Sequence, residues 1–191
     1  MKITFVLIVL LSIPLEAAAQ APNARQMPSE TYESADIDAA GNLRIVTADH
    51  KTITVPKGGA PRAGESLGNQ TAFGKPVLSD DRRAVAAPAM FGNGGTSYNI
   101  PLQLVIYSHG RTHRFEGEFA IFDWHFADGG RRVVFSEQPV HFTCSVHWEL
   151  RDIASERLLA TADIPEPCGQ IPDPPKVRVP KWVTAPVSGF K

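Results

Sequence analysis

Two shortages limit what this sequence can be before any motif is considered. Among its 191 residues there are only two cysteines and no excess of one charge, with 19 Lys and Arg against 20 Asp and Glu. A nucleic-acid-binding surface would need a basic stripe, and a protein held electrostatically on a membrane surface would need one too. We therefore predict that the mature chain has no nucleic-acid partner and no membrane association.

Helical periodicity and fixed-spacing catalytic motifs are also lacking. No stretch repeats apolar residues with the 3.6-residue period over three turns, so helix should be scarce. The chain has no Gly-x-Ser-x-Gly elbow, no His-Glu-x-x-His pair and no phosphate loop ending in Gly-Lys-Ser/Thr. These absences predict no cofactor, and they favour a protein without enzymatic activity over an enzyme.

The longest apolar run lies at the start of the chain. Lys2 precedes an apolar segment, residues 3–13, that is too short for a stable bilayer anchor, and three alanines end at Ala19. Residues 1–19 are therefore predicted to be a signal peptide that is cleaved before Gln20, with an uncleaved anchor as the alternative. Export would place the mature protein in the periplasm or outside the cell.

An even pair of cysteines in an exported chain favours a disulfide, with free thiols as the alternative. Cys144 comes just before a predicted strand that begins at Val146, and Cys168 follows a strand that ends near Ala162. In an antiparallel hairpin these two ends lie side by side. A bridge would close a loop of about 25 residues, contribute about 3 kcal/mol, and hold the chain's last segment against the preceding sheet.

Strand signals dominate residues 121–164. Asp128-Gly129-Gly130 is the strongest turn signal in the chain, because both glycines can adopt positive φ. After the following strand, apolar residues at 146, 148 and 150 alternate with polar ones, which is the period of a half-buried strand. We expect one common core in this region, formed by Trp124, Phe126, Val133, Phe135, Trp148 and Leu150.

Turns recur along the chain at a spacing typical of repeats. Equivalent turn positions are Gly41, Asp81 and Gly129, which are 40 and then 48 residues apart. After a flexible mature N-terminus, residues 20–35, we predict one all-β domain over residues 36–191. It would contain three propeller-like four-stranded antiparallel units, incomplete or open as a ring. The units are residues 36–70, 71–118 and 119–164, followed by a proline-rich tail, 165–191, that contributes at most an edge or closing strand.

The last unit resembles known repeats. Its Asp-Gly-Gly-Arg-Arg-Val-Val-Phe run, residues 128–135, and its Glu-Leu-Arg-Asp-Ile-Ala-Ser-Glu-Arg-Leu-Leu run, residues 149–159, resemble the blades of WD40-like and TolB-like β-propellers. Residues 77–164 also look like a group of small exported bacterial proteins that carry a Thr-Ser-Tyr-x-Ile-Pro-Leu run, residues 96–102 here. The resemblance implies a propeller-type fold and no particular activity. Because a closed propeller has four to eight blades, three arrangements stay open: a four-unit ring that uses the tail, an open stack of sheets, and a dimer or other oligomer that completes a ring.

The leading functional prediction is an exported binding or scaffolding module with an unknown protein or small-molecule partner. Residues 91–97 are predicted to be a glycine-rich loop between two strands, and loops on rigid sheets commonly carry recognition. Phe91 and Tyr98 would frame this loop, and Asn93 lies within it. These three residues are the candidate binding site.

The alternative is a small metal-dependent periplasmic enzyme. Of the six histidines, His125 and His147 are predicted to lie in neighbouring strands of the last unit, and Glu149 follows on the same face as His147. Imidazole and carboxylate ligands suit zinc or copper. No catalytic residue is assigned.

Overall fold

The computed structural model describes residues 30–58, 69–92, 98–139, 145–166 and 177–184. Within these ranges the chain forms β-strands joined by turns, and its helical content is one short 3₁₀ turn, Asp128–Gly130. The predicted all-β class is therefore confirmed. The predicted signal peptide lies outside the described residues.

Three open antiparallel sheets follow one another along the chain. Sheet 1 contains β1 (Tyr32–Ile37), β2 (Leu43–Thr47) and β3 (Thr52–Val55), in that order. Sheet 2 has the order β4-β6-β7-β8, with β5 paired to β6, and contains β4 (Gln70–Phe73), β5 (Val77–Leu78), β6 (Ala84–Gly92), β7 (Asn99–Ser108) and β8 (Arg111–Glu116). Sheet 3 contains β9 (Ala120–Ala127), β10 (Arg132–Gln138), β11 (Ser145–Asp152) and β12 (Leu158–Pro165), in that order. Within the described ranges the last unit has the four strands predicted for every unit, whereas the first shows three and the second shows five.

Sheet 2 lies between the other two sheets and is buried on both faces. Successive residues of β6 point to opposite faces: Val85 and Ala87 belong to the core shared with sheet 1, and Ala84 and Ala86 belong to the core shared with sheet 3. Alanine side chains leave room for large residues of the covering sheets, such as Trp124. The three sheets therefore form a stack with one core on either side of sheet 2.

The turn at Asp128–Gly130 has the predicted positive φ angles, including 91° at Gly130. It packs closely on the turn that leads into β6, since a Cβ atom on Gly130 would come within 2.6 Å of the Ser79 Cβ. Asp81, in that same turn, was aligned with Gly129 by the repeat spacing. The corresponding turns of sheets 2 and 3 thus touch, and only glycine fits at this contact.

The two ends of the stack differ. The outer face of sheet 1 is polar, with a side-chain ion pair between Arg44 and Asp36 and the exposed Thr54 opposite Arg44 on β3. The outer face of sheet 3 is apolar and is covered by residues 177–184, from which Val183 enters the core. The tail is predicted to contribute at most an edge or closing strand; residues 177–184 form none and have a turn at 181–183.

The predicted flexible N-terminus is wrong from residue 32 onward. β1 pairs with β2, and Tyr32 is only 1% exposed in the core between sheets 1 and 2. Its backbone N–H donates to the carbonyl oxygen of Arg82 at 2.7 Å, and its ring lies 5.8 Å from that of Tyr107. These contacts come from sheet 2, so the local polar composition concealed them.

The predicted common core of sheet 3 is divided between its two faces. Val134 of β10 pairs with Leu150, and Ser136 pairs with Trp148. Since paired residues share a face, Trp148 and Leu150 face the tail segment, whereas Val133 and Phe135 face sheet 2. Trp124 and the half-buried Phe126 also lie on the side of sheet 2.

Trp148→Ala should lower the free energy of unfolding by about 3–5 kcal/mol, because it empties the core between sheet 3 and the tail segment. The matched control is Leu158→Ala, a truncation in β12 of a side chain that is 43% exposed; it should cost under about 1 kcal/mol. Denaturant titration would measure both. Equal losses in the two variants would contradict the assignment of Trp148 to a core.

The predicted disulfide between Cys144 and Cys168 lies outside the described residues. The described pairing of β11 with β12 ends at Ser145 opposite Pro165, so the hairpin brings together the two segments that lead to the cysteines. We expect non-reduced protein, exported with its own N-terminus, to begin at Gln20 and to contain one Cys144–Cys168 bridge. Peptide mass spectrometry would detect it, and two freely alkylatable thiols would refute it.

Candidate functional site

Most of the predicted binding loop, residues 93–97, lies outside the described residues. Phe91 belongs to β6 and is fully buried between sheets 1 and 2. Asn93 lies outside the described residues, and Tyr98, just before β7, is 43% exposed. Phe91 therefore supports the core and does not present a side chain to a ligand.

Of the predicted metal ligands, His147 and Glu149 lie 3.9 Å apart, but His125 does not lie with them. β10 lies between β9 and β11, so the prediction that His125 and His147 occupy neighbouring strands is wrong. His125 pairs with Val134, on the face that the tail segment covers, whereas His147 pairs with Glu137 on the opposite face. Over the described parts of the chain, no three His, Cys, Asp or Glu side chains are grouped so that they could hold a metal ion.

His125 instead attaches the tail segment to sheet 3. Its ring is 2% exposed, and its Nε2 donates to the carbonyl oxygen of Trp182 at 3.1 Å. Burial lowers the pKa of the imidazole, and the hydrogen bond to Trp182 opposes that shift. The buried His125 imidazole therefore has a structural role, because it binds the tail segment to sheet 3.

A cleft of about 330 Å³ opens at one end of sheet 3. We call it the acidic cleft, because three of its lining side chains are carboxylates, whereas only one of those described is an imidazole. The lining residues are Glu118, Phe119, Glu137, Pro139, Ser145, His147 and Asp163. Of these, only His147 was a predicted site residue.

The sheet itself aligns the ionisable groups of the acidic cleft. Glu137 of β10 pairs with His147 of β11, and His147 pairs with Asp163 of β12. These three side chains therefore form one row across three strands on one face. The His147 Nδ1 lies 2.7 Å from the Asp163 Oδ1, while its Nε2 is 3.9 Å from Glu149, two residues along β11.

A β-bulge in β9 lies opposite Ser136, the residue before Glu137. Phe135 pairs with Trp124 and Glu137 pairs with Ile121, so two residues of β9 oppose the single residue Ser136. The bulge lets both Ile121 and Trp124 face sheet 2 and ends the regular ladder beside Glu137. The short segment that precedes β9 can then fold over the Glu137 carboxylate.

Glu137 is the most enclosed group of the cleft, with 4% exposure. Its Oε2 accepts hydrogen bonds from the backbone N–H groups of Glu118, at 2.6 Å, and of Phe119, at 3.4 Å. Gly117 permits this approach, because a Cβ atom there would lie 2.8 Å from the Glu137 Cδ. No basic side chain within the described ranges forms an ion pair with Glu137, and none of their hydrogen bonds involves its Oε1.

Burial raises the pKa of the Glu137 carboxyl. The nearby charge of Glu149 raises this pKa further, whereas the two backbone N–H groups and His147 lower it. The N–H donors thus offset only part of the cost of removing the carboxylate from water. An incompletely compensated carboxylate at the base of a cleft is a frequent property of binding and catalytic sites.

The cleft also contains a serine, a histidine and an aspartate, the three residue types of a catalytic triad. His147 and Asp163 are hydrogen-bonded, whereas none of the described hydrogen bonds joins Ser145 to His147. Two successive backbone N–H groups could stabilise an oxyanion, yet those of Glu118 and Phe119 are already bound to Glu137. This arrangement suits binding better than acyl transfer.

No family model matches this chain, and no curated protein matches it. Among the described residues, no helix has the length and apolar character needed to cross a membrane. The case for a site therefore depends on the geometry of the acidic cleft itself.

Glu137 had a signal in the sequence that the motif search missed. Val133, Phe135 and Glu137 alternate on one face of β10, so the period of the strand puts a carboxylate where a core residue is expected. Glu118, Phe119 and Asp163 had no such signal, because only the pairing of distant strands brings them to Glu137.

Glu137→Gln should stabilise the protein relative to the unsubstituted protein, and this difference in stability should grow as the pH rises. The native carboxyl has a raised pKa, so its ionisation disfavours the folded state, and this cost grows as the pH rises above the ordinary glutamate range. We expect the difference in Tm, variant minus native, to be larger at about pH 7 than at about pH 5.

Glu118, Glu149, His147 and Asp163 are present in both proteins, so the change of residue 137 is the one difference between them. A difference in Tm that is constant across this range, or that falls with pH, would show that ionised Glu137 is not destabilising. Glu33→Gln, which alters an exposed carboxylate of β1, is the control variant.

Proposed function

We propose that this protein is an exported binding module, built from propeller-like repeats, that holds its ligand in the acidic cleft. The observation that carries this proposal is the Glu137 carboxylate, which is 4% exposed and forms no ion pair within the described ranges, yet lines an open cleft. A buried charge without a counter-charge costs stability. Such a cost is expected where a ligand supplies the missing partner.

The architecture supports binding in a second way. The row formed by Glu137, His147 and Asp163 lies on three adjacent strands of sheet 3. The backbone of Glu118 and Phe119 is fixed by its hydrogen bonds to Glu137. Side chains that project from paired strands keep their geometry without a ligand, so little ordering entropy opposes binding. The predicted signal peptide, residues 1–19, and the likeness to propeller blades favour an exported scaffold for such a site.

Fragment screening by NMR would test this proposal. We expect some members of a set of small neutral, anionic and cationic compounds to shift the amide signals of Glu118, Phe119 and Asp163 in a saturable way. Ser145→Trp should abolish these shifts, because the indole would occupy the cleft. Ser34→Trp, on the polar outer face of sheet 1, is the matched control and should leave them unchanged.

The proposal fails if no compound of any charge shifts these signals, or if Ser145→Trp and Ser34→Trp bind equally well. Thermal denaturation of both variants would establish that each is folded before the binding data are compared.

A further inference from the structure

Opposing charges in and around the acidic cleft do not cancel. Glu118, Glu137 and Asp163 line it, and His147 is the one basic side chain among the described lining residues. Arg151 lies two residues beyond Glu149 and donates from its Nε to the Glu149 carboxylate, so it does not neutralise Glu137. The described lining residues therefore contribute a negative field, which attracts cations and repels anions.

Glu137 still has an acceptor atom to offer. Its Oε2 is held by the two backbone N–H groups, whereas its Oε1 has no hydrogen-bond partner among the described residues. A charge-assisted hydrogen bond to a carboxylate is about twice as strong as a neutral one. A cationic N–H donor would both satisfy Oε1 and supply the missing counter-charge.

The walls of the cleft select among cations. Phe119 is 42% exposed, and both it and Pro139 line the cleft, so part of the lining is apolar. An aromatic face attracts an ammonium or guanidinium group and also packs against its alkyl stem. A volume of about 330 Å³ is at the lower end of small-molecule sites and fits one side chain or one small amine.

A metal ion fits less well than an organic cation. Zinc, calcium and magnesium need several ligand atoms that converge on one point, and the described residues contain no such group of three. His147 is also directed to Asp163 through its Nδ1. A buried carboxylate in a cleft that also has an aromatic lining residue instead suits a monovalent organic cation.

We propose that the acidic cleft binds a primary ammonium or guanidinium group carried on an apolar stem, as in a lysine or arginine side chain or a free alkylamine. This inference rests on the proposed function and names the chemical class of its ligand. Glu137 Oε1 would accept from the cation, Phe119 would cover the stem, and Glu118 and Asp163 would add attraction from the rim.

Titration of the full mature protein by NMR would test this inference with matched probes. N-acetyl-lysine N-methylamide and n-butylammonium represent the peptide and free-amine sources of the cation. N-acetyl-norleucine N-methylamide has a similar stem without the charge, and n-butyrate has the opposite charge. We expect saturable shifts of the Glu118 and Phe119 amides with both cations, and at least about tenfold weaker binding of the neutral and anionic probes. Tighter binding of the lysine derivative than of butylammonium would identify a peptide side chain as the ligand, and the reverse order would identify a free amine.

Glu137→Gln should weaken the binding of both cations at least about tenfold, and Asp163→Asn should weaken it several-fold. Glu33→Gln removes the same charge from an exposed position in β1 and should have no effect.

If Glu137→Gln fails to fold, Glu118→Gln and Asp163→Asn carry the comparison. Norleucine binding as tightly as lysine, or unchanged affinity in the cleft variants, would overturn the inference. Neutral or anionic fragments that bind in the cleft when cations do not would refute the cation while leaving the binding module intact, whereas no binding by any probe would refute both.

Discussion

The whole structure depends on a central sheet that is covered on both faces. β6 and β7 are buried along most of their length, and the small side chains of Ala84, Ala86, Ala87 and Ala89 let sheets 1 and 3 approach from either side. Side chains of the outer sheets fill the space that alanine leaves, as Tyr32 does on one side and Trp124 on the other. Because interiors pack to near-crystalline density, each outer sheet can bury a face only if sheet 2 keeps these positions small. An open stack results, which ends in a polar face on sheet 1 and in the tail segment on sheet 3.

The acidic cleft lies where one face of sheet 3 changes from apolar to polar side chains. On the face of sheet 3 that meets sheet 2, Val133 and Phe135 are packed in the core, whereas the same face of β11 carries His147, Glu149 and Arg151. Glu137 stands at the boundary between the apolar and polar parts. The bulge opposite Ser136 and the absence of a side chain at Gly117 let the backbone close over one oxygen of its carboxylate. The fold thus removes Glu137 from water on one side and leaves it facing a cleft on the other.

Such a position costs the folded state free energy that an apolar residue would not. Alternation along β10 would place a hydrophobic residue at 137, and the two backbone N–H groups offset only part of the desolvation of a carboxylate. Features that reduce stability without a compensating contact in the molecule itself are expected at sites of function. The proposed binding site is therefore centred on Glu137.

The sequence by itself determined the strand class, most strand positions and the sharp turns, because these depend on local chemistry. Alternation with a period of two and glycine's access to positive φ, as at Gly129 and Gly130, act within a few residues of the chain. Only the tertiary structure decided which face of each strand meets which sheet. Period-two alternation defines two faces without naming their partners, so Trp148 and Phe135 were expected in one core and lie in two. The surroundings of Tyr32, Phe91 and Glu137 likewise come from strands far away in sequence. Register between distant strands is set by packing, which no local pattern encodes.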